Sequence, residues 1–221
     1  MREKLFNVAV GMMALCAVGT TALTTWRAFV PPSPPSQPEP RIQRDWARYA
    51  REGHVLGSQT ARVTVVEFAD FECPYCASVK PTLDTLLARH PQDVRILFRH
   101  FPLASHHLAL QAAKAAECAS EQGRFAPMYD VLFANRDSMG IVPWGWFGHA
   151  AGVASDEGFT QCLQSGKSFA AIARDTAAGG ELGVTGTPTL LVNNLRLDGI
   201  ITLDSLEAYV ARAIPAATVR H

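Results

Sequence analysis

The chain alternates short apolar runs with longer segments in which apolar residues recur at helical spacing. Residues 62–68 and 94–98 are two runs rich in apolar and β-branched residues, and both are predicted strands. Between them, Leu83, Leu86 and Leu87 lie on one face of a predicted helix. A strand, a helix and a second strand in this order predict a βαβ unit, and therefore an α/β fold.

Helical patterning dominates after the second predicted strand, so we expect an inserted helical domain at about residues 104–180. The predicted helices cover residues 106–120, 125–133, 143–151, 159–163 and 168–178. A short apolar strand follows at residues 189–192, and Asn193 and Asn194 form a hairpin turn into another strand. Asp204 is the predicted cap of the last helix.

The N-terminus is an uncharged, mostly apolar segment at residues 5–25, preceded by a basic cytoplasmic n-region at residues 1–4. About twenty residues can span a bilayer, which favours a transmembrane signal anchor, with a cleaved signal peptide as the alternative. Arg2 and Lys4 should stay in the cytoplasm, so the rest of the chain lies outside it. Residues 26–54 form a proline-rich linker and lead-in.

Composition and charge narrow the function further. The chain has 221 residues and a formal net charge of zero. Its globular part is long enough for one domain with a full core. No basic patch is evident in the sequence, so nucleic acid is not an expected partner.

Cys73-Pro74-Tyr75-Cys76 follows the first predicted strand and opens the helix after it. A cysteine at a helix N-terminus faces unpaired backbone N–H groups and the positive end of the helix dipole, which favour its thiolate. Cys73 is therefore the predicted nucleophile. Cys76 lies one turn further in, close enough to bond to Cys73, and is the predicted resolving thiol. Pro74 fits at the start of a helix, where its missing N–H breaks no bond.

A zinc site is the alternative use of a CxxC motif. Structural zinc needs four ligands, and the sequence has no second CxxC. Only Cys118, Cys162 and the pair His106-His107 remain as candidates, and they are scattered over a helical stretch. We therefore expect no metal and no other cofactor.

Charged residues flank the CxxC. Asp70 and Glu72 precede Cys73, where negative charge would disfavour a thiolate unless water screens it. We assign neither a catalytic role. His106 and His107 are predicted to begin a helix and are also given no catalytic role, because a thiol at a helix terminus needs no separate base.

Thr187-Pro188 leads into the predicted strand at residues 189–192 after a loop that contains glycines. Such a loop is compatible with a tight turn around a cis peptide bond, and equally with an ordinary trans proline at the start of a strand. The residues alone leave both open.

Several segments together resemble the DsbA-like thiol:disulfide oxidoreductases of the thioredoxin superfamily. They are VEFADFECPYC, ILFRHFPL, AAKAAECASEQGRF, GVTGTPTLLVNN and LDGIITLDSLEAYV. The resemblance covers residues 55–214 and leaves residues 215–221 as a tail. It implies a thioredoxin-like fold with an inserted helical domain.

The resemblance also implies roles for individual residues. In that family the proline before the central strand is cis and packs against the CxxC, which makes Thr187 and Pro188 the substrate-docking pair. Pro74 and Tyr75, between the two cysteines, complete the predicted substrate-binding surface. Glu67 matches a buried acidic position of the family, where it would exchange a proton with Cys76; a solvent-facing strand residue is the alternative.

Cys118 and Cys162 lie in the helical domain. Some relatives of this family carry such a pair, and an oxidising compartment would favour its disulfide. We predict a structural disulfide, with two buried free thiols as the alternative.

The resemblance implies an extracytoplasmic enzyme, in the periplasm or at the cell exterior, anchored to the inner membrane. It would exchange the Cys73–Cys76 disulfide with cysteines of exported proteins, and a DsbB-like or quinone-linked membrane protein would re-oxidise it. Strong oxidants of the family have histidine where this chain has Tyr75, and threonine at the position of Thr187 occurs in reductive or isomerising members. A DsbG-like reductase or isomerase is therefore one alternative, and a non-catalytic peptide-binding module is another.

Overall fold

The computed structural model describes residues 39–165 and 169–214. The predicted anchor at residues 5–25, the first part of the linker and the tail at residues 215–221 lie outside the described residues. Within the described ranges, no helix combines the length and the apolar composition needed to cross a membrane.

The described residues form one mixed sheet of six strands in the order β1-β6-β5-β3-β4-β2. The strands are β1 Arg41–Ile42, β2 His54–Gly57, β3 Val63–Ala69, β4 Val94–His100, β5 Thr189–Val192 and β6 Leu195–Asp198. The pair β3 and β4 is parallel, whereas all other neighbours are antiparallel. The α/β thioredoxin-like architecture predicted from the sequence is therefore confirmed.

The central strand β3 is buried along its whole length, and so is β5 beside it. A strand covered on both faces has no need of a polar side, which explains why residues 63–69 show no clean alternation. Thr64 and Glu67 are the polar exceptions, and both are buried. The strand therefore delivers its C-terminal end, and the loop after it, to the middle of the domain.

Helix α1, Pro74–Arg89, connects β3 to β4 and completes the predicted βαβ unit. Its buried residues are Cys76, Val79, Leu83 and Leu86, a face with helical spacing. Cys73 is the N-cap, with φ −68° and ψ 121°. The CxxC is thus the first turn of the helix that crosses over the sheet.

A block of four helices follows β4. They are α2 Ala109–Ser120, α3 Phe125–Ala134, α4 Trp144–Ala150 and α5 Asp156–Gln164. The predicted start of α2 at residue 106 is wrong by three residues. Residues 103–108 turn back instead, and the N–H groups of Leu103 and Leu108 donate to carboxylates of the loop before Cys73.

Helix α6, Ala170–Leu182, packs against β4 through a buried ion pair. Arg99 donates from Nε and Nη2 to Oδ1 of Asp175 at 2.9 and 2.8 Å, and the N–H of His100 donates to Oδ2 at 3.1 Å. The helix runs past its predicted end at residue 178 and stops at Gly183, whose φ of 71° suits a glycine C-cap.

The C-terminal part returns to the sheet and ends in helix α7, Leu203–Ala213. Asn193 forms the turn between β5 and β6 with a positive φ of 47°, as the hairpin prediction requires. The predicted cap Asp204 is wrong. Thr202 is the N-cap, and its side chain accepts from the N–H of Ser205 because Asp204 already lies within the first turn.

Two strands were not predicted. The short β1 pairs with β6, and β2 pairs with β4, so both are edge strands. Gly57 ends β2 and the strand is only four residues long, which leaves little periodic signal. Residues of the predicted lead-in therefore belong to the sheet.

Candidate active site

Cys73 and Cys76 lie at the N-terminus of α1 as two free thiols. Cys73 is 2% exposed and Cys76 is fully buried. The N–H of Cys73 donates to the carbonyl of Asp70 at 3.1 Å, which closes the loop between β3 and the helix. Both sulfurs are therefore buried at the first turn of α1, Cys76 more deeply than Cys73.

The surroundings of Cys73 favour its thiolate. The hydrogen bond with the Cys76 thiol contributes most to lowering the pKa of Cys73 to about 5. Burial acts in the opposite direction, and hydrogen bonds with Thr187 and with the backbone of Cys76 and Tyr75 add to the lowering. Donors aimed at one sulfur outweigh the cost of removing its charge from water.

The surroundings of Cys76 favour its thiol. Burial raises the pKa of Cys76 well above its ordinary value, and the charge and hydrogen bond of Cys73 raise it further. The two sulfurs therefore differ in kind: Cys73 is a thiolate at neutral pH and Cys76 holds its proton.

The Thr187–Pro188 peptide bond is cis, and it lies against the CxxC. The Cys73 thiol donates to the carbonyl oxygen of Thr187 at 3.3 Å, although the two residues are 114 positions apart. Thr187 and Pro188 also line a groove of about 250 Å³ with residues of the strand and turn that follow.

Pro74 and Tyr75 form the outer side of the motif. Both are exposed, and 59% of Tyr75 is accessible to solvent. The structure thus brings together all of the predicted substrate-binding residues, Thr187, Pro188, Pro74 and Tyr75, around the Cys73 sulfur.

Glu67 points into the core and is fully buried. Its Oε2 accepts from the Tyr129 hydroxyl at 3.2 Å, and its Oε1 has no hydrogen-bond partner among the described residues. Burial raises the pKa of Glu67 to about 8, against the hydrogen bond from Tyr129 and the charge of Lys80. The carboxyl group is therefore protonated at neutral pH and available as a proton carrier inside the domain.

Asp70 and His106 form a contact that the sequence did not indicate. The Asp70 side chain is fully buried, so water does not screen its charge from Cys73. Nδ1 of His106 lies 2.7 Å from Oδ2 of Asp70. The two residues are 36 positions apart, and no local pattern joins them.

Cys118 and Cys162 are joined by a disulfide between α2 and α5, with a Cα–Cα distance of 5.9 Å. Because the two sulfurs are bonded to each other, neither is available as a zinc ligand. It also lies in the helical block and not at the CxxC, so the two cysteine pairs occupy different environments.

One group of side chains outside the CxxC has metal-ligating chemistry. His54, His100 and Glu117 bring their ligand atoms within 4.8 Å of one another. Both imidazoles lie against Oε1 of Glu117, at 2.6 and 2.8 Å from Nε2, and lower its pKa to about 2 against the effect of burial.

A metal-bound histidine ordinarily donates its second N–H to an acceptor. Nδ1 of His100 is buried with no hydrogen-bond partner in the part of the chain that the structure describes. The three residues thus fit a hydrogen-bonded network joining β2, β4 and α2 better than they fit a metal site.

Comparison with known proteins places this geometry in a family. The family model described as "Thioredoxin" matches residues 50–212. A solved structure of a thioredoxin-like oxidoreductase from Silicibacter pomeroyi is 28% identical, with a TM-score of 0.67 over 79% of this chain and 99% of that chain. The alpha-DsbA1 of Wolbachia pipientis is 20% identical, with a TM-score of 0.62 over 74% of this chain and 91% of that chain, and shows the same fold.

A curated relative has a different name. The "Na(+)/H(+) antiporter NhaA 3" of Salinispora tropica is 40% identical over 169 residues, which is 76% of this chain and 26% of that protein. The chain thus spans about a quarter of the length of the curated relatives it matches. A continuous stretch of that length in a chain of 221 residues must include Cys73 and Cys76.

The predicted resemblance and the predicted enzyme class are both confirmed by these comparisons. The chain belongs to the thioredoxin family, in which it has a DsbA-like fold and is a thiol:disulfide oxidoreductase.

Proposed function

We propose that the protein donates the Cys73–Cys76 disulfide to cysteines of exported proteins. The observation that carries this proposal is the position of the two free thiols: Cys73 is the N-cap of α1, where its pKa is lowered to about 5, and Cys76 is fully buried one turn further in, where its pKa is raised. A low-pKa Cys73 leaves readily and stabilises the reduced enzyme, and both effects favour disulfide donation.

The reaction conserves sulfur and moves two electrons. A substrate thiolate attacks Cys73 Sγ, a substrate–Cys73 bond forms, and the Cys73–Cys76 bond breaks with Cys76 leaving as a thiolate that takes up a proton. A second substrate thiolate then attacks the substrate sulfur of the mixed disulfide, and Cys73 leaves as a thiolate. The substrate is oxidised by two electrons, and the enzyme dithiol holds them.

Glu67 is the proposed proton donor for Cys76. Its pKa of about 8 keeps it protonated at neutral pH, so it can give a proton to the leaving Cys76 and regain it from solvent. Support comes from its burial in β3, the strand that leads into the CxxC loop.

We further propose that the protein works in the periplasm or at the cell exterior. Residues 5–25 would anchor it to the inner membrane, and a DsbB-like or quinone-linked membrane protein would accept the two electrons. The Cys118–Cys162 disulfide supports an oxidising compartment. We do not propose antiport for this chain. The chain matches only about a quarter of the antiporter named above, and its thioredoxin-like fold and CxxC indicate thiol chemistry.

Trapping the mixed disulfide tests the proposed exchange. In Cys76→Ser, the Cys73 thiolate should attack disulfides of exported proteins and, with no resolving thiol to release it, stay in mixed disulfides that are visible as reductant-sensitive bands on a non-reducing gel. Cys73→Ser is the matched control and should form none. Equal band patterns in the two variants would contradict the proposal.

The reduction potential then decides the direction of exchange. Equilibration in glutathione buffers, read by alkylation of Cys73 and Cys76, should give a value above roughly −150 mV for an oxidant. A value below roughly −220 mV would instead make the protein a reductase or isomerase, the activity that Tyr75 and Thr187 favour.

A further inference from the structure

The loop before Cys73 contains two acidic residues, Asp70 and Glu72, and negative charge so close in sequence disfavours a Cys73 thiolate. Both carboxylates accept hydrogen bonds from backbone N–H groups of residues 103–108. Asp70 accepts from the N–H of Glu72 at 2.8 Å and of Leu103 at 2.9 Å, and Glu72 accepts from the N–H of Leu108 at 2.6 Å. The segment after β4 therefore fixes the charges that surround the nucleophile.

Two backbone donors do not offset the cost of burying the Asp70 carboxylate. Its side chain is fully buried, and a buried carboxylate without a cation carries a large desolvation cost. The imidazole of His106 supplies a third donor: Nδ1 donates to Oδ2 of Asp70 at 2.7 Å, and 23% of the His106 side chain remains exposed. The two side chains form an ion pair beside the CxxC when His106 is protonated.

The charged form of His106 is favoured by groups on the facing loop. Burial lowers the pKa of His106, but the hydrogen bond and charge of Asp70, with the charges of Cys73 and Glu72, outweigh burial and raise it. The guanidinium of Arg136 lies beyond them, where Nη1 donates to the Glu72 carbonyl at 3.4 Å. The charge of Cys73 thus favours a protonated His106, although the hydrogen bond with Cys76 contributes most to lowering the pKa of Cys73 itself.

We propose that His106, oriented by Asp70, supplies the positive charge that stabilises the Cys73 thiolate in the place of a histidine within the CxxC. This chain has Tyr75 between its cysteines, and tyrosine brings no positive charge. His106 delivers the charge from another part of the chain, and Asp70 is the positioning residue. The inference rests on the proposed thiol–disulfide exchange, because the thiolate matters as the group that leaves in that reaction.

The charge balance predicts the sign of the effect. Removing His106 leaves the buried Asp70 carboxylate uncompensated, and its negative charge then opposes the thiolate. The Cys73 thiol should hold its proton to higher pH, and the reduced enzyme should lose stability relative to the disulfide form. The variant becomes a weaker oxidant.

His106→Gln and His107→Gln form a matched pair of variants, since the neighbouring His107 is exposed. In His106→Gln, the pH of half-maximal Cys73 alkylation should rise by about one unit. The equilibrium constant for oxidising glutathione should fall about tenfold, which corresponds to about 30 mV. His107→Gln should match the wild type in both measurements.

Titration of the unmodified chain provides a second readout that needs no stable variant. Imidazole NMR signals, assigned by through-bond correlation to the backbone of each histidine, should show a higher pKa for His106 in the reduced protein than in the oxidised one. Closing the disulfide removes the Cys73 charge, whereas the His107 signal should not respond to oxidation.

The outcomes separate this inference from the proposed function. If wild-type Cys73 and Cys76 do not equilibrate with glutathione, the proposed exchange fails. If they do equilibrate, while folded His106→Gln stays within twofold of the wild type and the His106 titration ignores the redox state, only the role of His106 is overturned.

Discussion

The two cysteine pairs of this protein show how differently the same side chain is used in two regions. Cys73 and Cys76 lie three positions apart at a helix terminus as free thiols with opposite pKa shifts. Cys118 and Cys162 lie 44 positions apart in the helical block and are bonded to each other. The first pair is arranged for exchange, and the second links two helices.

The groups that surround each sulfur cause this difference, and the distance between the two cysteines of a pair does not. The Cys73 thiolate accepts hydrogen bonds from the Cys76 thiol and from the backbone of Cys76 and Tyr75, so its charged state has partners, whereas the Thr187 carbonyl accepts only from the thiol form. Cys118 is 1% exposed in α2, and its sulfur is bonded to that of Cys162. A reactive pair needs donors for one sulfur, whereas a structural pair needs only geometry and an oxidant.

Removing the structural pair should have the largest effect on stability. Cys118→Ala/Cys162→Ala opens a loop of 44 residues, which should lower the free energy of unfolding by about 4 kcal/mol in guanidinium denaturation. Cys73→Ala/Cys76→Ala removes a pair that spans no long loop, so it should lower the free energy of unfolding by only about 1 kcal/mol. If both double variants lost the same free energy of unfolding, the assignment of Cys118–Cys162 as the structural pair would be contradicted.

Glu67→Gln should give the next largest effect, and its sign depends on pH. The folded pKa of about 8 lies above the ordinary 4.5, so wild-type stability is full below about pH 4.5 and falls as pH rises toward 8. Glutamine does not ionise. The variant should therefore gain about 3 kcal/mol on the wild type between pH 4.5 and pH 7, at 1.36 kcal/mol per unit.

Denaturation at both pH values, in a Cys73→Ser background that cannot close the CxxC, measures this gain without a change of redox state. Cys73→Ser alone is the control. A stability difference that does not change with pH would mean that Glu67 is ionised in the folded protein.

The smallest expected effect is a difference in the alkylation rates of the cysteines. With the Cys73–Cys76 bond reduced and the structural disulfide intact, Cys73 should react at least about a hundredfold faster than Cys76 at pH 7, because only its thiolate is populated. Its rate should rise through about pH 5, and Cys118 should remain unlabelled until its disulfide with Cys162 is reduced. Mass mapping of labelled peptides gives all three rates, and comparable rates for Cys73 and Cys76 would contradict the assignment.

Local patterns predicted the parts of the molecule that local physics determines. The βαβ unit, the helix after the CxxC and the turn at Asn193 each depend on residues adjacent in sequence. A cysteine at a helix start also has its donors nearby. These features needed no knowledge of distant contacts.

Long-range packing decided the rest. The burial of Glu67 follows from the helices and strands that cover both sides of β3, and strand alternation could not show it. His106 meets Asp70 only because residues 103–108 fold back on the CxxC loop, where helical periodicity predicted the start of α2. In both cases the sequence shows the residue type, but a partner about 35 or more positions away sets its state.

The disulfide in the helical block has a consequence for how the protein is made. Cysteines enter a new chain as thiols, so Cys118 and Cys162 need an oxidant before α2 and α5 are linked. If the protein donates disulfides as proposed, it begins as a recipient of one, from a mature copy of itself or from another oxidant of its compartment. Where mature copies do this work, maturation is autocatalytic, and the supply of finished protein sets the rate at which more is finished.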